Sequence, residues 1–140
     1  MQLGTPTVSI VICAYNAAPF LAETLESVFA QTRQDYEIIV VNDGSTDNTD
    51  QVITPYLNRL TYLKQPNSGP GAARNTAFRH ARGRYIALLD SDDQWLPQYL
   101  ETMLGRMEAE PGIDVLYPNA ILFGTAQWEG KLFQDVCPSS

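Results

Sequence analysis

The sequence predicts an α/β protein whose mostly parallel, Rossmann-like sheet is flanked by helices. Short runs rich in β-branched residues, which are typical of buried strands, alternate with stretches whose apolar residues recur at helical spacing. Such alternation indicates parallel strands joined by right-handed crossovers. The chain has 140 residues, of which 44% are hydrophobic and 18% are charged, so it can form one domain with a packed core.

The predicted elements follow one another in a regular order. Strands are predicted over residues 8–14, 36–41, 60–64, 85–89 and 113–117, with two further short strands over residues 121–123 and 131–133. Helices are predicted over residues 16–29, 47–57 and 72–81, and around the apolar positions 100, 103, 104 and 107. We expect Gly83 to be the C-cap of the third helix. We expect Cys13, inside the first apolar run, to be a small buried hydrophobic side chain.

The overall charge restricts the class of ligand. The formal net charge is −7, which argues against a nucleic-acid partner because such partners need a basic face. An acidic protein can still bind an anionic nucleotide if a metal ion supplies local positive charge. The sequence shows no secretory signal peptide and no apolar run long enough to span a bilayer. We therefore expect a protein without a transmembrane segment, located in the cytoplasm and at most peripheral to the inner membrane face through its pathway.

Polar residues follow three of the predicted strands at the point where each strand ends. They form the segments 15–16, 42–44 and 90–93. Ligands of a parallel sheet bind beyond the carboxyl ends of the strands. We therefore expect these three segments to gather at one edge of the sheet and to form a site there.

The last of these segments carries three carboxylates, Asp90, Asp92 and Asp93. Neighbouring carboxylates repel one another, and a cation between them relieves the repulsion. Aspartate oxygens suit Mg²⁺ or Mn²⁺, which complete their coordination with water and substrate phosphates. The alternative is a solvated turn that caps the next helix. The position of the cluster after an apolar strand, beside a second strand-end aspartate, favours the metal.

Three other residues are candidates for nucleotide contacts, and each has a structural alternative. Asp43 can accept hydrogen bonds from a ribose hydroxyl or a base N–H, or it can close an Asx-turn or cap the next helix. Tyr15 can stack on a base or belong to the core. Arg74 is predicted in the first turn of a helix, where a cation opposes the helix dipole, so it needs Asp43 or the ligand as a partner. The glycines before it, in NSGPGAARN (67–75), allow the backbone to approach a ligand.

Together these segments resemble the family 2 glycosyltransferases of the GT-A fold. The matching stretches, which also keep the order and spacing of the family, are VSIVICAYN (8–16), YEIIVVNDGSTD (36–47), NSGPGAARN (67–75) and GRYIALLDSDD (83–93). The resemblance covers about residues 7–118 of what we interpret as a single donor-binding domain, residues 1–140. It implies a metal-dependent, inverting transfer of a sugar from a nucleotide sugar to the hydroxyl of an unknown sugar or glycan acceptor. A UDP-sugar is expected as the donor in preference to a GDP-sugar.

The resemblance also implies a role for each candidate residue. It places Tyr15, Asp43 and Arg74 against the nucleotide. Asp90 would lie near the ribose and the water shell of the metal. Asp92, as the last acid of the D-x-D motif, would bind the Mn²⁺ or Mg²⁺ that bridges the diphosphate and neutralises the leaving nucleotide. Asp93 would lie behind the metal ligands or on the acceptor side. No catalytic residue is identified in the chain, and Asp93 is the one candidate for that role.

The chain departs from the family in its length. Members are usually much longer, and their later part carries the acceptor site and the carboxylate that deprotonates the acceptor hydroxyl. None of Asp114, Glu129 and Asp135 stands in a recognisable base motif, and the Gln-x-x-Arg-Trp signature is absent. We therefore expect a chain truncated at the C-terminus, which holds the donor and metal site, lacks the acceptor site and catalytic base, and can be inactive on its own.

Two alternatives stay open. A nucleotidyltransferase also places acids and a metal beside a nucleotide, but it usually has a glycine-rich loop with Arg and Lys after the first strand, where this chain has AYNAA (14–18). The other alternative is a nucleotide-binding or assembly module without transferase activity. An open sheet would expose apolar surface and favour a homodimer.

Overall fold

A computed structural model of the chain describes residues 4–124, 127 and 129–136. The chain divides into two compact units, Met1–Thr102 and Met103–Ser140. The first unit contains the sheet and all six of the predicted site residues. The interpretation of the whole chain as one donor-binding domain stays a prediction.

A sheet of four strands forms the centre of the first unit. The strands are β1 (Val8–Ala14), β2 (Tyr36–Asp43), β3 (Thr61–Gln65) and β4 (Tyr85–Leu88). Their order across the sheet is β3-β2-β1-β4, and every pairing between them is parallel. β1 and most of β2 are buried, as expected for central strands covered on both faces. The predicted fold class, an α/β protein with a parallel sheet flanked by helices, is confirmed.

The helices of the described chain connect and follow these strands. They are α1 (Leu21–Phe29), α2 (Thr49–Ile53), α3 (Pro70–His80), α4 (Tyr99–Ala109) and α5 (Phe133–Val136). The helix predicted over residues 47–57 is shorter than expected, because its last part is a 3₁₀ turn, Thr54–Tyr56, with a proline near its start. In the part of the chain that the structure describes, no helix combines the length and the apolar character needed to cross a membrane.

The packing of α3 on the sheet positions the site. Ala73 and Ala77 of α3 contact a fully buried cluster formed by Val11, Ile39 and Val41. Two small side chains on one face let the helix lie close to β1 and β2. The N-terminus of α3 is thereby held beside the carboxyl ends of these strands.

Gly83 is not the C-cap of α3, so that prediction is wrong. The capping residue is Ala81. Gly83 lies against β1, where a Cβ atom would come within 2.4 Å of the backbone nitrogen of Ser9. The Gly83 N–H donates to the Ser9 hydroxyl at 2.8 Å, and that hydroxyl donates to Glu37 of β2 at 2.6 Å. Close approach of two backbones therefore requires a glycine here, and it fixes the start of β4 to β1 and β2.

The strand predicted over residues 113–117 is not formed. The segment is irregular, and its apolar residues Val115 and Tyr117 are exposed. An apolar segment forms a strand only where a partner strand and a covering layer are present. The short strands predicted over residues 121–123 and 131–133 are reduced to one antiparallel bridge, between Ile121 and Leu132.

Candidate functional site

The carboxyl ends of β1 and β2 meet at one edge of the sheet, and the loops after them are joined there. The Oδ1 atom of Asn16 accepts hydrogen bonds from the backbone N–H of Thr46 at 2.7 Å and of Asp47 at 3.2 Å. Asn16 adopts a positive φ of 51°, which asparagine tolerates better than most residues. The strand-end segments 15–16 and 42–44 therefore lie together, as predicted.

Asp43, the last residue of β2, is 4% exposed, and protein donors surround its carboxylate. Oδ1 accepts from Gln65 Nε2 at 2.7 Å and from the Ser68 N–H at 2.9 Å. Oδ2 accepts from the Gly69 N–H at 2.9 Å. Burial raises the pKa of this carboxyl, but the three hydrogen bonds outweigh burial and hold the pKa below its ordinary value. Asp43 is therefore an ionised group that anchors the loop before α3.

The structural alternative for Asp43 was an Asx-turn or a helix cap, and it is wrong. The Asx-turn at this point belongs to the neighbouring residue, since Oδ1 of Asn42 accepts the N–H of Ser45 at 2.9 Å. The carboxylate of Asp43 points instead to the loop 67–69.

A pocket of about 140 Å³ opens at this edge, between the end of β1, the end of β2 and the N-terminus of α3. Tyr15 lies in its lining with 51% of its surface exposed. The alternative that placed Tyr15 in the core is therefore wrong. The lining consists of strand-end residues and the loop that Asp43 anchors: Cys13, Ala14, Tyr15, Asp43, Asn67, Gly69, Pro70 and Ala73.

The turn after β2 lies in close contact with the loop that contains Asn67. Gly44 has a φ of +76°, and a Cβ atom there would come within 2.5 Å of the backbone nitrogen of Asn67. Both the positive φ and the contact require glycine. The sequence carried this signal in the Asn-Asp-Gly turn after the second strand, but it did not indicate which segment the turn approaches.

Arg74 has a partner that the sequence analysis did not weigh. Because α3 begins at Pro70, Arg74 falls in its second turn and not in the first. Its Nη2 atom lies 3.7 Å from Oδ1 of Asp90. Asp43, proposed from the sequence as its alternative partner, accepts hydrogen bonds from Gln65, Ser68 and Gly69 instead. Arg74 and Asp90 therefore join α3 to the segment after β4 beside the pocket.

The three carboxylates after β4 are neighbours in the structure. The N–H of Asp93 donates to the carbonyl of Asp90 at 3.0 Å, and the turn is held to α1 by the hydroxyl of Thr24, which donates to the Ser91 carbonyl at 2.9 Å. Burial first, and the charges of Asp92 and Asp90 second, raise the pKa of Asp93. Among residues 4–124, 127 and 129–136, no three His, Cys, Asp or Glu side chains form a group that could hold a metal ion. These residues therefore do not form a complete metal cage.

Cys13 is a pocket residue that the sequence analysis missed. It is half-buried and free, and it packs against the cluster under α3 while also lining the pocket. Burial raises the pKa of its thiol, the charge of Arg74 opposes this, and Asp43 and Asp90 add to it. Its position one residue before the end of β1 was the available signal, because side chains near the end of a central strand face the ligand edge as well as the core.

Comparisons with known proteins agree on one protein family. The profile described as glycosyl transferase family 2 matches residues 9–132. The uncharacterized glycosyltransferase RP339 of Rickettsia prowazekii is 37% identical over 115 residues, which cover 82% of this chain and 36% of that protein. The uncharacterized glycosyltransferase alr2836 of Nostoc is 36% identical over 121 residues, covering 84% of this chain and 38% of that protein. The chain thus spans less than two fifths of the length of these relatives.

Solved structures share the fold. TarS 1–349 of S. aureus, solved in complex with UDP, matches with a TM-score of 0.71 and 25% identity, over 85% of this chain and 40% of that one. The mannosyltransferase PcManGT of Pyrobaculum calidifontis, solved with GDP-Man and Mn²⁺, matches with a TM-score of 0.70 and 27% identity, over 79% of this chain and 34% of that one.

Proposed function

The chain belongs to glycosyl transferase family 2, and on that premise we propose that its sheet edge binds the donor of the transfer, a UDP-sugar. The observation that carries the proposal is the pocket beside Tyr15 and Asp43, next to the pair formed by Arg74 and Asp90. An open apolar pocket with a few convergent polar groups is the usual form of a small-ligand site.

The base and ribose would lie against Tyr15 and Asp43. The exposed ring of Tyr15 offers a stacking surface. A carboxylate has about four acceptor positions, and Asp43 uses three of them on protein donors. One position stays available for an N–H of the base or a hydroxyl of the ribose. TarS 1–349 of S. aureus, which shares the fold, is solved in complex with UDP, and this supports a UDP-sugar as the donor.

The diphosphate would lie towards Arg74 and the D-x-D segment. Mg²⁺ and related ions are usually bound through one or two carboxylates plus water and substrate phosphates, so a site with fewer than three protein ligands still fits such an ion. Asp92 and Asp90 would hold Mn²⁺ or Mg²⁺ there. The ion would neutralise the charge of the leaving nucleotide. Arg74 would add a fixed positive charge on the nucleotide side, while its link to Asp90 keeps both side chains in position.

The complete transfer, with inversion at the sugar, to an acceptor hydroxyl is part of the same proposal. None of the residues placed at this edge is assigned as the base that deprotonates the acceptor. Asp93, with its raised pKa, is proposed to lie on the acceptor side of the metal and not to contact the nucleotide.

Titration calorimetry with UDP and with GDP, on the wild type and two matched variants, tests the nucleotide pocket. Tyr15→Ala removes the proposed stacking surface, and Phe20→Ala is its control because Phe20 is an aromatic residue of equal exposure, 50% against 51%. Stacking of a base on an aromatic ring contributes about 1–3 kcal/mol, so Tyr15→Ala should weaken UDP binding by between about fivefold and about 150-fold. Phe20→Ala should bind as the wild type does. Equal affinities for both variants, or tighter binding of GDP than of UDP, would contradict the proposed pocket.

A further inference from the structure

Asp43 receives one of its three hydrogen bonds from a side chain, and that side chain is itself held by a helix. The donor is Gln65, the last residue of β3, whose Nε2 atom lies 2.7 Å from Oδ1 of Asp43. The amide oxygen of Gln65 in turn accepts the hydroxyl of Thr76, in α3, at 2.6 Å. We call this chain of two hydrogen bonds, from Thr76 through Gln65 to Asp43, the relay. It joins the ends of β2 and β3 to α3.

The hydrogen bonds of the relay run in one direction, towards the carboxylate. An ionised carboxylate is only an acceptor, so the amide of Gln65 must present its NH₂ group to Asp43 and its oxygen to Thr76. The guanidinium of Arg79 lies on the other side of Thr76, with Nη2 3.4 Å from the hydroxyl oxygen, and donates to it. The hydroxyl therefore directs its own proton to Gln65. Consecutive hydrogen bonds that run in one direction polarise and strengthen one another.

The relay reaches the pocket through one residue. Of Asp43, Gln65 and Thr76, all within the described part of the chain, Asp43 alone lines the pocket. Gln65 and Thr76 are partly buried behind it. Any effect of these two side chains on a bound ligand must therefore pass through the carboxylate of Asp43.

We propose that Gln65 and Thr76 are positioning residues of the nucleotide pocket, which act on the ligand by holding the carboxylate of Asp43 as a fixed acceptor of hydrogen bonds. This inference rests on the proposed function, in which Asp43 accepts an N–H of the base or a hydroxyl of the ribose. A protonated carboxyl would present a proton to that donor instead. Burial favours the protonated form, and the three hydrogen bonds to Asp43 lower its pKa against burial.

Other titratable and charged groups near the relay are kept in every variant used below. They lie on the elements packed around Asp43 and Thr76, and they are Cys13 of β1, Arg74, Arg79 and His80 of α3, and Asp90 after β4. A difference between a variant and the wild type therefore reports the relay and not these groups.

Carbon-13 NMR of the Asp43 carboxyl, titrated with acid in the absence of nucleotide and metal, tests the relay directly. Gln65→Leu removes the donor, so Asp43 should take up its proton at a higher pH than in the wild type. Thr76→Val removes the hydroxyl with little change of shape and should shift the titration in the same direction, by less. Thr76→Ser restores the hydroxyl and should titrate as the wild type does. Gln51→Leu, at an exposed glutamine of α2, is the control for Gln65→Leu and should also leave the titration unchanged.

Calorimetric titration with UDP at pH 8 and pH 5, without metal, tests whether the relay serves the ligand. Hydrogen bonds to charged groups are among the stronger ones in proteins, so Gln65→Leu should bind UDP at least about tenfold more weakly than the wild type at pH 5. The loss should be smaller at pH 8, where Asp43 regains its charge. In an Asp43→Ala background, Gln65→Leu should cause no further loss, because Gln65 acts only through the carboxylate.

Circular dichroism establishes that each variant is folded, and Thr76→Val, which leaves β3 unchanged, carries the test if Gln65→Leu does not fold. An Asp43 titration that neither variant shifts overturns the inference. Wild-type affinity of Gln65→Leu at both pH values overturns it too, as does a loss of affinity that is equally large in the Asp43→Ala background. A wild type that binds no UDP contradicts the proposed function, and with it the role of the relay in binding. The NMR titration needs no ligand, so it distinguishes that outcome from a failure of the relay itself.

Discussion

Asp43 shows how a single residue can organise the candidate site. Its carboxylate accepts three hydrogen bonds from segment 65–69, and these bonds hold the loop before α3 at the mouth of the pocket. A buried carboxylate with fewer partners would have a raised pKa and would take up a proton. Here the three hydrogen-bond donors lower the pKa of Asp43 instead. The carboxylate therefore keeps its charge at neutral pH and can accept one more hydrogen bond.

The environment of a second aspartate, Asp50, determines how the stability of the fold should depend on pH. Hydrogen bonds from Lys64 and Tyr62, both at 2.5 Å, together with one from Asn42 at 3.0 Å, lower the pKa of Asp50 to about 2. The unfolded value is about 3.9. Because the folded pKa is the lower one, this stabilisation is complete above about pH 5 and is lost as the pH falls towards 2.

The variant Asp50→Asn should therefore lower the free energy of unfolding at pH 7, and by about 1 kcal/mol or less, because the side chain is half exposed and screened by solvent. The difference from the wild type should shrink as the pH falls below 4. Urea unfolding at pH 7, 4 and 2.5 measures it, with the exposed Asp114→Asn as the control that should show no such trend. A difference that does not change with pH would contradict the assigned cause.

At the scale of elements, the contact between β4 and β1 depends on one glycine. Gly83 precedes β4 and touches the backbone of Ser9, and the hydroxyl of Ser9 links it to Glu37 of β2. Glu37 also forms an ion pair with Arg82 at 2.8 Å. The start of β4, and with it the direction in which the D-x-D segment leaves the sheet, is thus set at the end opposite to the site.

The substitution Gly83→Ala should destabilise the chain by about 1–3 kcal/mol, because the new methyl group meets backbone atoms that cannot move aside. The same substitution at Gly105, in α4, meets no atom within 4 Å and should stabilise the helix by about 0.5–1 kcal/mol. Thermal unfolding of both variants measures the contrast. If Gly83→Ala were as stable as the wild type, the close approach of the two backbones would be disproved.

The elements that the sequence predicted correctly are those whose signal is local. Three of the four strands, β1, β2 and β4, carry apolar runs that are typical of strands, and polar residues mark their ends. The segment 113–117 carries a similar apolar run, but a strand also needs a partner strand. The residues of the segment do not show whether such a partner exists. The prediction for Gly83 was wrong for a related reason. A glycine after a helix indicates a C-cap, and the sequence does not show that the distant backbone of Ser9 approaches it.

At the scale of the whole molecule, the topology brings the site together. Parallel strands place the ends of β1 and β2 and the N-terminus of α3 at one edge, so Tyr15 and Asp43 line one pocket together with the start of α3 although these segments are far apart in sequence. The sequence predicted this edge from the order of its elements. It could not predict that Arg74 contacts Asp90, or that Cys13 lines the pocket, because both depend on how closely α3 approaches the sheet.

The affinity for UDP with and without Mn²⁺, measured by calorimetry on the wild type, Asp92→Ala and the control Asp114→Ala, tests the central claim most directly. If Asp92 holds a metal against a diphosphate, Mn²⁺ should tighten UDP binding by about tenfold or more, which is about 1.4 kcal/mol, in the wild type and in Asp114→Ala. In Asp92→Ala this gain should be lost while the fold is kept. Equal affinity with and without Mn²⁺ in the wild type, or an undiminished gain in Asp92→Ala, would contradict a metal-linked donor site at this edge.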